Sequence, residues 1–273
     1  MLLGIDIGGT TISFGLVHDA EIRQRSRIPS FPADATLEQT LDYLSDGISS
    51  FLTPDTERIG VGVPTLVDVS RGIVYDALNI PSWKEVHLKK HLEERFSLPV
   101  SVNNDANCFA LGAAARMGKP GETVVGVTLG TGTGVGIVTD GKLFCGDHCG
   151  AGELCSLPYE GGILEEFCSK QFFEDRGWNS READRAATAG DPQAKELFVE
   201  FGHHIGYLLS VVMYTYDPSV IVIGGGVANG QRHFCPSMKR SLQDHYIYSH
   251  VLDQLDIHVM PEADLALLGA SLL

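Results

Sequence analysis

The sequence predicts an α/β protein made of two related lobes, and two similar hairpins carry that prediction. The first runs from an apolar strand at 2–7 through Gly8-Gly9-Thr10 into a second strand at 12–18. The other runs from an apolar strand at 124–127 through the glycine-rich turn 128–134 into a further strand. Helical patterns between strands indicate the α/β class. Repetition of the hairpin indicates a duplicated architecture, in which each lobe offers a glycine loop to one cleft.

The first lobe is predicted over 1–117, with the element order β-β-β-α-β-α-β-α. Apolar residues recur every three or four positions from Leu37 to Leu52, which is typical of one face of a helix. The remaining predicted elements are strands at 21–29, 59–63, 73–75 and 99–102 and helices at 83–95 and 106–117.

The second lobe is predicted over 118–263 and begins at the boundary 118–121, which contains proline and glycine. Its elements after the central hairpin are a strand at 142–144, helices at 163–175, 180–189 and 192–216, and a strand at 220–223. That last strand is apolar throughout, as in a sheet covered on both faces. A final helix at 264–272 is expected to pack on the first lobe, which residues 264–273 then complete.

Composition and charge narrow the classes of function. The chain has 273 residues, of which 44% are hydrophobic and 20% charged, as in an ordinary folded protein. A net charge of -15 without a basic patch opposes nucleic-acid binding. No apolar run approaches the ~20 residues of a membrane span, and the first strand begins without a preceding signal peptide. We therefore expect a cytoplasmic protein with no membrane partner, whose six cysteines are reduced thiols.

Three glycine-containing turns have the chemistry of a nucleotide site. Asp6 before Gly8-Gly9-Thr10 places a carboxylate beside an open anion loop, as hydrated magnesium and a terminal phosphate require; the alternative is a tight turn with a capping aspartate. The turn at 130–134 repeats this loop. Gly224-Gly225-Gly226 lets a flat ring approach the backbone, although a strand-to-helix turn often needs glycine as well. Together the three turns predict a nucleotide-binding cleft.

These motifs, in this order, resemble the ROK family of sugar kinases and repressors. The stretches that carry the resemblance are Asp6–Thr10, Asn104–Cys108, Leu129–Gly134 and Gly224–Gly226. They extend over nearly the whole chain. The family belongs to the actin-like, hexokinase-type ATPases, so the resemblance implies an α/β fold of two actin-like (ribonuclease H-like) lobes with mixed sheets and a cleft between them.

The resemblance implies an ATP-dependent hexose kinase, with glucose as the first expected substrate. Asp105 would be the general base that takes the proton from the sugar's 6-hydroxyl as that oxygen attacks the γ-phosphate of Mg-ATP. Its setting at a strand–helix junction meets the positive end of a helix dipole, although a lone aspartate there could also be a simple N-cap. The alternatives are an N-acetylmannosamine or N-acetylglucosamine kinase, a fructokinase, and a non-catalytic sugar-sensing regulator.

Further implications concern ATP, magnesium and self-association. Asp6 is the expected magnesium contact. The residues expected at ATP are Asp6, Gly8, Gly9, Thr10, Thr11, Gly130, Thr131, Gly132, Thr133, Gly224, Gly225 and Gly226. Family kinases commonly self-associate, which implies a homodimer. Family repressors carry an N-terminal helix-turn-helix domain, whereas this chain starts its first strand at Leu2, so the sequence favours a kinase.

The sugar contacts are implied residue by residue. They are Thr65, Asn79, Asn104, Asp105, Glu153, Ser156 and Glu165. Asn79 lies in a stretch, 77–83, that is similar to the family's sugar-facing segment, and Thr65 stands where the family's Gly-x-Pro-Gly turn has its second glycine. Glu153 and Glu165 match two glutamates that bind sugar hydroxyls in the family; as the alternative, both are first-turn acids of helices.

The chain departs from the family where most members bind structural zinc. Cys155-Ser156 replaces Gly-His, Ile163 replaces the last cysteine, and the loop between them is shortened. No zinc site is therefore expected. The residues that could form a new one are Cys145, His148, Cys149 and Cys155, which include no CxxC pair. Loss of the histidine also leaves open the choice between glucose and an N-acetylated or 2-epimeric hexose, with Ser156 as a remaining hydrogen-bond donor.

Overall fold

The computed structural model of this protein describes residues 1–77, 79–118, 120–261 and 264–273, which form two compact units. Unit 1 comprises Met1–Arg116, Gly141–Ala151 and Asp264–Leu273, and unit 2 comprises Met117–Asp140 and Gly152–Ala263. Gly141–Ala151 therefore groups with unit 1, whereas the sequence placed it in the range 118–263. Leu78 in the predicted sugar-facing segment and Lys119 at the predicted lobe boundary lie outside the described residues.

The secondary structure alternates between strands and helices along both units. The strands are β1 (Leu2–Ile7), β2 (Thr11–His18), β3 (Glu21–Pro29), β4 (Arg58–Val63), β5 (Val67–Asp68), β6 (Ile73–Tyr75), β7 (Glu85–Val86), β8 (Val100–Asn104), β9 (Thr123–Leu129), β10 (Thr133–Thr139), β11 (Lys142–Leu143), β12 (Pro158–Tyr159), β13 (Gly162–Ile163), β14 (Val220–Gly224) and β15 (Asp256–Val259). The helices are α1 (Leu37–Ser49), α2 (Leu88–Phe96), α3 (Asp105–Met117), α4 (Leu164–Cys168), α5 (Gln171–Glu174), α6 (Ser180–Ala189), α7 (Pro192–Tyr216), α8 (Gln231–His245), α9 (Ser249–Leu252) and α10 (Asp264–Leu272), with 3-10 helices at Glu153–Ser156 and Gly226–Gly230.

Unit 1 is built on a five-stranded sheet in the order β3-β2-β1-β4-β8. Strands β1, β2 and β3 are antiparallel neighbours, whereas β1, β4 and β8 run parallel. Parallel strands end at the same edge of a sheet, and side chains that follow them are brought together there. Apart from Asn79, the predicted residues of this unit lie at the ends of β1 and β8 or directly after β1, β4 and β8, so the topology gathers them at one edge.

The C-terminal helix α10 packs on this sheet at backbone contact distance. A Cβ on Gly4 of β1 would collide with the carbonyl oxygen of Leu267, and one on Gly60 of β4 would collide with that of Ala270. Two glycines on adjacent parallel strands therefore leave room for the helix. This close packing explains why residues 264–273 belong to unit 1.

Unit 2 repeats the arrangement with the order β11-β10-β9-β14-β15. The hairpin β9–β10 is antiparallel, and β14 runs parallel to both β9 and β15. Both units thus start from a hairpin and extend it with parallel strands. The predicted α/β class with mixed sheets is confirmed.

The long helix α7 spans 25 residues with the bounds that the sequence predicted. Asp191 caps it by accepting a hydrogen bond from the N–H of Ala194 at 2.8 Å, and Pro192 occupies the first turn. By length and composition α7 could cross a membrane, but 67% of its most apolar window is buried inside the protein. Such burial is that of a core helix.

Several elements differ from the sequence prediction. Helix α2 begins at Leu88 rather than at Trp83, because Trp83 is fully buried and its Nε1 donates to Thr40 Oγ1 at 2.8 Å. The predicted helix 163–175 is divided into α4 and α5. Its break lies near Lys170, whose N–H donates to the carbonyl of Gly130 at 3.0 Å instead of continuing a helix. The elements that the sequence did not predict include α8, α9, β15 and the short hairpin β12–β13.

Candidate active site

The junction between β8 and α3 carries Asp105, the predicted general base. Asp105 is the first residue of α3, and its carboxylate accepts a hydrogen bond from the N–H of Ala106 at 2.8 Å. Asn104 caps the helix, because its Oδ1 accepts from the N–H groups of Ala106 at 2.9 Å and Asn107 at 3.2 Å. Asn104 therefore takes a capping role that the sequence left open for Asp105. The positive end of the α3 dipole favours negative charge at the carboxylate.

The side chains of Thr65 and Asn104, both predicted sugar contacts, link separate backbone segments of unit 1. The side-chain nitrogen of Asn104 donates to the carbonyl of Thr65 at 3.3 Å, and the hydroxyl of Thr65 donates to the carbonyl of Tyr75 at 2.8 Å. These bonds tie the end of β8 to the turn after β4 and to the end of β6. Both side chains position this edge of the sheet, and a sugar contact for either one remains a prediction.

Asp6 lies on β1, one residue before the strand ends. Its partners in the neighbouring strands are Ser13 and Gly62. Burial raises the pKa of Asp6 from 3.8 to about 6, and the positive charge of Arg27 opposes that shift. Arg27 is held in turn by a hydrogen bond from its Nε to Ser13 Oγ at 3.2 Å. A half-buried carboxylate that ionises reluctantly by itself gains from a bound cation.

The loop after β1 presents backbone donors to an anion. The N–H of Gly8 donates to the carbonyl of Thr11 at 2.9 Å, which closes the turn. Ser30 braces the loop, since its hydroxyl donates to the Gly8 carbonyl at 2.8 Å and its N–H donates to the Thr10 carbonyl at 3.0 Å. Within the described part of the chain, the N–H groups of Gly9 and Thr10 have no acceptor. Adjacent N–H groups left open in this way suit a phosphate.

Asn79 lies against the same loop. A Cβ built on Gly9 would stand 3.4 Å from Cγ of Asn79, so a side chain at position 9 would touch it. Asn79 itself is exposed. The predicted residues that unit 1 gathers at or beside the edge formed by β1, β4 and β8 are Asp6, Gly8, Gly9, Thr10, Thr11, Thr65, Asn79, Asn104 and Asp105.

In unit 2 the glycine-rich loop between β9 and β10 is braced from several sides. The N–H of Gly130 donates to the carbonyl of Gly132 at 2.9 Å. Thr133 is buried, and its hydroxyl donates to the carbonyl of Cys168 at 2.8 Å. Thr131 and Gly132 have N–H groups without an acceptor among the described residues. Thr133 therefore shapes the loop, and Thr131 and Gly132 carry its open donors.

Glu165, predicted to bind sugar, holds that loop. Its Oε1 accepts a hydrogen bond from the N–H of Thr133 at 2.9 Å, and a Cβ on Gly132 would collide with the same oxygen. Burial raises the pKa of Glu153, and the negative charge of Glu165 raises it further. The structure thus brings both predicted glutamates to the glycine loop of unit 2. Ser156 is exposed at the end of the 3-10 helix that starts at Glu153.

The glycine cluster after β14 lies beside the same loop. Gly225 has a φ of 90°, and a Cβ there would collide with the carbonyl oxygen of Leu129. Only glycine can bring the end of β14 so near the end of β9. Gly226, by contrast, has open space around its Cα. The first of these two glycines is required by the fold, and the second leaves room for a ligand.

A cavity of about 360 Å³ adjoins Gly226. Its lining residues are Ser180, Arg181, Asp184, Arg185, Gly226, Val227, Asn229 and Gly230. The α6 residues of this cavity were not predicted, because their pattern is that of a polar, solvated helix. Apart from Gly226, the available signal was the N-cap Asn179, whose Oδ1 accepts from the N–H of Arg181 at 3.0 Å and fixes where α6 begins.

A larger cavity, of about 690 Å³, lies in unit 1 between the end of β3 and the start of α1. Phe31 lines it and packs on Trp83 and Tyr43, with ring centroids 5.4 Å and 6.1 Å apart. The Tyr43 hydroxyl donates to the Pro29 carbonyl at 3.1 Å. This cavity contains none of the predicted site residues, and Ser30 connects its rim to the loop at Gly8.

The candidate ligand residues can be compared with the known ligand preferences of magnesium and zinc. Magnesium usually keeps several waters and takes one or two carboxylates together with phosphate oxygens, and Asp6 beside the open loop fits that pattern. For zinc, the residues that the structure describes contain no group of three or more His, Cys, Asp or Glu side chains able to hold an ion. Cys155 and Cys168 are buried, and that burial raises the pKa of each thiol.

Comparison with known proteins decides the family. The sequence pattern of the ROK family matches residues 2–273. The chain belongs to the ROK family. One relative, an N-acetyl-D-glucosamine kinase of Aliivibrio salmonicida (strain LFI1238), is 32% identical, and the match covers 84% of this chain and 85% of the relative. A glucokinase of Halalkalibacterium halodurans is 30% identical, and the match covers 83% of this chain and 80% of the relative.

Among solved structures, this ROK-family chain is similar to a ROK family glucokinase from Streptomyces griseus in complex with glucose and AMPPNP. The two are 27% identical with a TM-score of 0.84, and the match covers 99% of this chain and 97% of the other. These likenesses support a sugar kinase. They also confirm the predicted family and the predicted fold of two actin-like lobes.

Proposed function

We propose that this ROK-family protein is an ATP-dependent hexose kinase, with Asp105 as its general base. The observation that carries the proposal is one edge of the unit 1 sheet, where Asp105 follows β8, Asp6 lies near the end of β1 and the open Gly8–Thr10 loop follows β1. A base, a cation-seeking carboxylate and a phosphate loop at one sheet edge are the parts that phosphoryl transfer needs.

The proposed reaction begins with the transfer of a proton. Asp105 takes it from the sugar's 6-hydroxyl, the oxygen forms a bond to the γ-phosphorus, and the bond to the departing ADP oxygen breaks. Asn104 holds the first turn of α3 and so keeps the carboxylate at a fixed place. Magnesium bound with ATP would offset the negative charge of the phosphates.

ATP would be bound by both glycine loops and by the glycine cluster. In unit 1, phosphate would be bound by backbone donors of the loop Gly8, Gly9, Thr10 and Thr11. Asp6 would face the magnesium ion. In unit 2 the corresponding donors are Thr131 and Gly132, with Gly130 and Thr133 shaping the loop. Gly224, Gly225 and Gly226, together with the adjoining cavity of about 360 Å³, would take the adenosine.

The sugar would be bound by Thr65, Asn79, Asn104, Glu153, Ser156 and Glu165, and glucose is the first candidate. An N-acetylhexosamine kinase is the second, because the relative from Aliivibrio salmonicida is an N-acetyl-D-glucosamine kinase. Ser156 is small and exposed where the family has a histidine, which leaves space for a 2-substituent. The remaining alternative functions are a fructokinase and a non-catalytic sugar-sensing regulator. A cytoplasmic homodimer, with a division into lobes near residue 118, belongs to the same proposal.

The test is ADP release from Mg-ATP against a panel of glucose, fructose, mannose, N-acetylglucosamine and N-acetylmannosamine. Saturable release with one sugar, and none without sugar, is the expected result. Asp105→Asn serves as the chemical control, because it keeps the shape of the side chain and removes the base. If the protein binds ATP and a sugar but transfers no phosphate to any member of the panel, the regulator replaces the kinase as the proposed function.

A further inference from the structure

Two cysteines of the segment Gly141–Ala151 meet beside the helix junction that carries Asp105. The Sγ atoms of Cys145 and Cys149 both lie near Asn103 Oδ1, at 3.9 Å and 3.4 Å. Both also lie near Asn107 Nδ2, at 3.6 Å and 3.5 Å. Three residues separate the two cysteines in the chain, and contact with the same two amide side chains places their thiols close together.

Local backbone geometry produces this approach. Cys149 has a φ of 60°, a left-handed conformation that non-glycine residues seldom adopt. The N–H of Ala151 donates to the carbonyl of Cys145 at 3.0 Å and closes the loop on itself. The turn therefore folds Cys149 back toward Cys145, and the shape of the loop brings the two thiols together.

The two thiols are chemically different. The neighbouring Cys149 thiol lowers the pKa of Cys145 to about 7, with Asn103 adding to that effect. The same contact, together with burial, raises the pKa of Cys149. Besides Cys149, the titratable group that acts on Cys145 is Cys108, which raises its pKa slightly. Cys145 is half-buried and Cys149 is buried, so the more acidic sulfur is also the more accessible one.

We propose that Cys145 and Cys149 form an oxidisable dithiol site for hydroperoxides, with Cys145 as the attacking thiol and Cys149 as the resolving thiol. The Cys145 sulfur attacks one peroxide oxygen, the O–O bond breaks, and the other oxygen leaves as water or an alcohol after taking up a proton. Cys149 then attacks the Cys145 sulfur, the S–O bond breaks, and water leaves with the Cys149 proton. Two thiols give up two electrons, the peroxide accepts them, and a disulfide forms.

The site is built into the framework that positions Asp105. Asn103 Oδ1, which lies near both sulfurs, accepts from the backbone N–H of Asn104 at 2.8 Å, directly before Asp105 in the chain. A disulfide removes the thiol protons and changes the partners of Asn103 and Asn107. This consequence rests on the proposed function: we expect oxidation to lower the rate of phosphoryl transfer roughly tenfold, since small displacements of a positioned catalytic group cost that much or more. Dithiothreitol restores the rate.

The site itself is tested without any activity assay. The full-length protein is treated with hydrogen peroxide, free thiols are alkylated, and peptides are mapped by mass spectrometry. A disulfide linking Cys145 to Cys149 is expected in the wild type and in Cys235→Ser, which removes a half-buried thiol of unit 2. Cys145→Ser and Cys149→Ser lose the disulfide, and Cys149→Ser accumulates a sulfenic acid at Cys145 that dimedone traps.

Alkylation rates against pH provide a second readout. Cys145 is expected to react half-maximally near pH 7, because its pKa lies at about 7. In Cys149→Ala this midpoint moves to higher pH, since the neighbouring group that lowers the pKa of Cys145 is gone. The proposal is overturned if peroxide oxidises Cys235 while Cys145 and Cys149 both stay alkylatable. If the disulfide forms but no sugar is ever phosphorylated, the dithiol site stands and the kinase proposal fails.

Discussion

The hairpin loops of the two units occupy matching places in matching sheets and differ in chemistry. Asp6 and Thr128 are each the last residue but one of their strands, and each has a glycine as its parallel partner, Gly62 or Gly224. Unit 1 therefore places a carboxylate where unit 2 places a hydroxyl. Under the proposed function, this difference would divide the labour: unit 1 would handle the cation and the proton, and unit 2 would hold phosphate through backbone donors.

The bracing of the two loops differs as well. The loop of unit 1 is held mainly by backbone bonds and by Ser30. The loop of unit 2 is held by groups from elsewhere in the unit. Thr133 donates to the Glu165 side chain and to the Cys168 carbonyl, and the N–H of Lys170 donates to the Gly130 carbonyl. A loop braced by other elements depends on them, so substitutions outside the loop are expected to matter more in unit 2.

The largest loss of activity is expected from Asp105→Asn, which removes the proposed base of unit 1 and leaves unit 2 unchanged. We expect the turnover number to fall at least ~100-fold, the low end of what a general base contributes, while ATP binding measured by calorimetry is retained. Asp42→Asn, at an exposed position on α1, is the matched control and should have no effect. Substantial turnover in the Asp105 variant would show that another group accepts the proton.

Asp6→Asn tests whether the carboxylate of unit 1 serves the cation. The KM for magnesium should rise by more than tenfold, because an amide oxygen carries no charge. The corresponding change in unit 2, Thr128→Val, removes the hydrogen bonds to Gly134 and should lower the free energy of unfolding by about 1 kcal/mol, with magnesium dependence unchanged. Equal magnesium effects in the two variants would end the proposed division of labour.

The pKa of Asp6 predicts opposite trends for activity and stability. In the free enzyme, kcat/KM for Mg-ATP should fall as pH drops through about 6, since Asp6 becomes protonated. Because the folded pKa lies above the value of 3.8, the carboxyl stabilises the fold fully below pH 3.8, and that contribution is lost as pH rises through about 6. Asp6→Asn should therefore unfold at higher urea than the wild type at pH 8 without magnesium. Lower stability of the variant at pH 8 would mean that the charged form is favoured.

The smallest change in activity is expected from substitutions of Glu165. This residue is proposed to bind the sugar, and its side chain also accepts a hydrogen bond from the unit 2 loop. Glu165→Ala leaves the N–H of Thr133 without an acceptor, at a cost of ~1–3 kcal/mol, and should raise the KM for ATP as well as for sugar. Glu165→Gln keeps an acceptor oxygen and should raise mainly the KM for sugar. Glu196→Gln, exposed on α7, is the control. If both Glu165 variants leave the KM for ATP unchanged, the loop does not depend on this contact.

Much of the fold could be predicted because its signals are local. The two hairpins, the long helix α7 and the final helix α10 each follow from a short apolar pattern with caps or glycines at the ends. Helix α8 contains Pro236 and has a mostly polar sequence, so its helical pattern is weak. Strand β15 is only half-buried and lies at the sheet edge. Such elements depend on neighbours that are distant in the chain.

The sequence by itself determined the order of the motifs, the duplicated α/β plan, the family and the choice of Asp105, because a motif is a contiguous run of residues with a fixed local geometry. Only the tertiary structure decided that Asn104 donates to the carbonyl of Thr65, that Glu165 accepts from Thr133, and that Cys145 and Cys149 share Asn103 and Asn107. Each of these depends on which groups satisfy one another's hydrogen bonds. That choice is made between segments tens of residues apart, where the cost of an unpaired buried donor selects the partner.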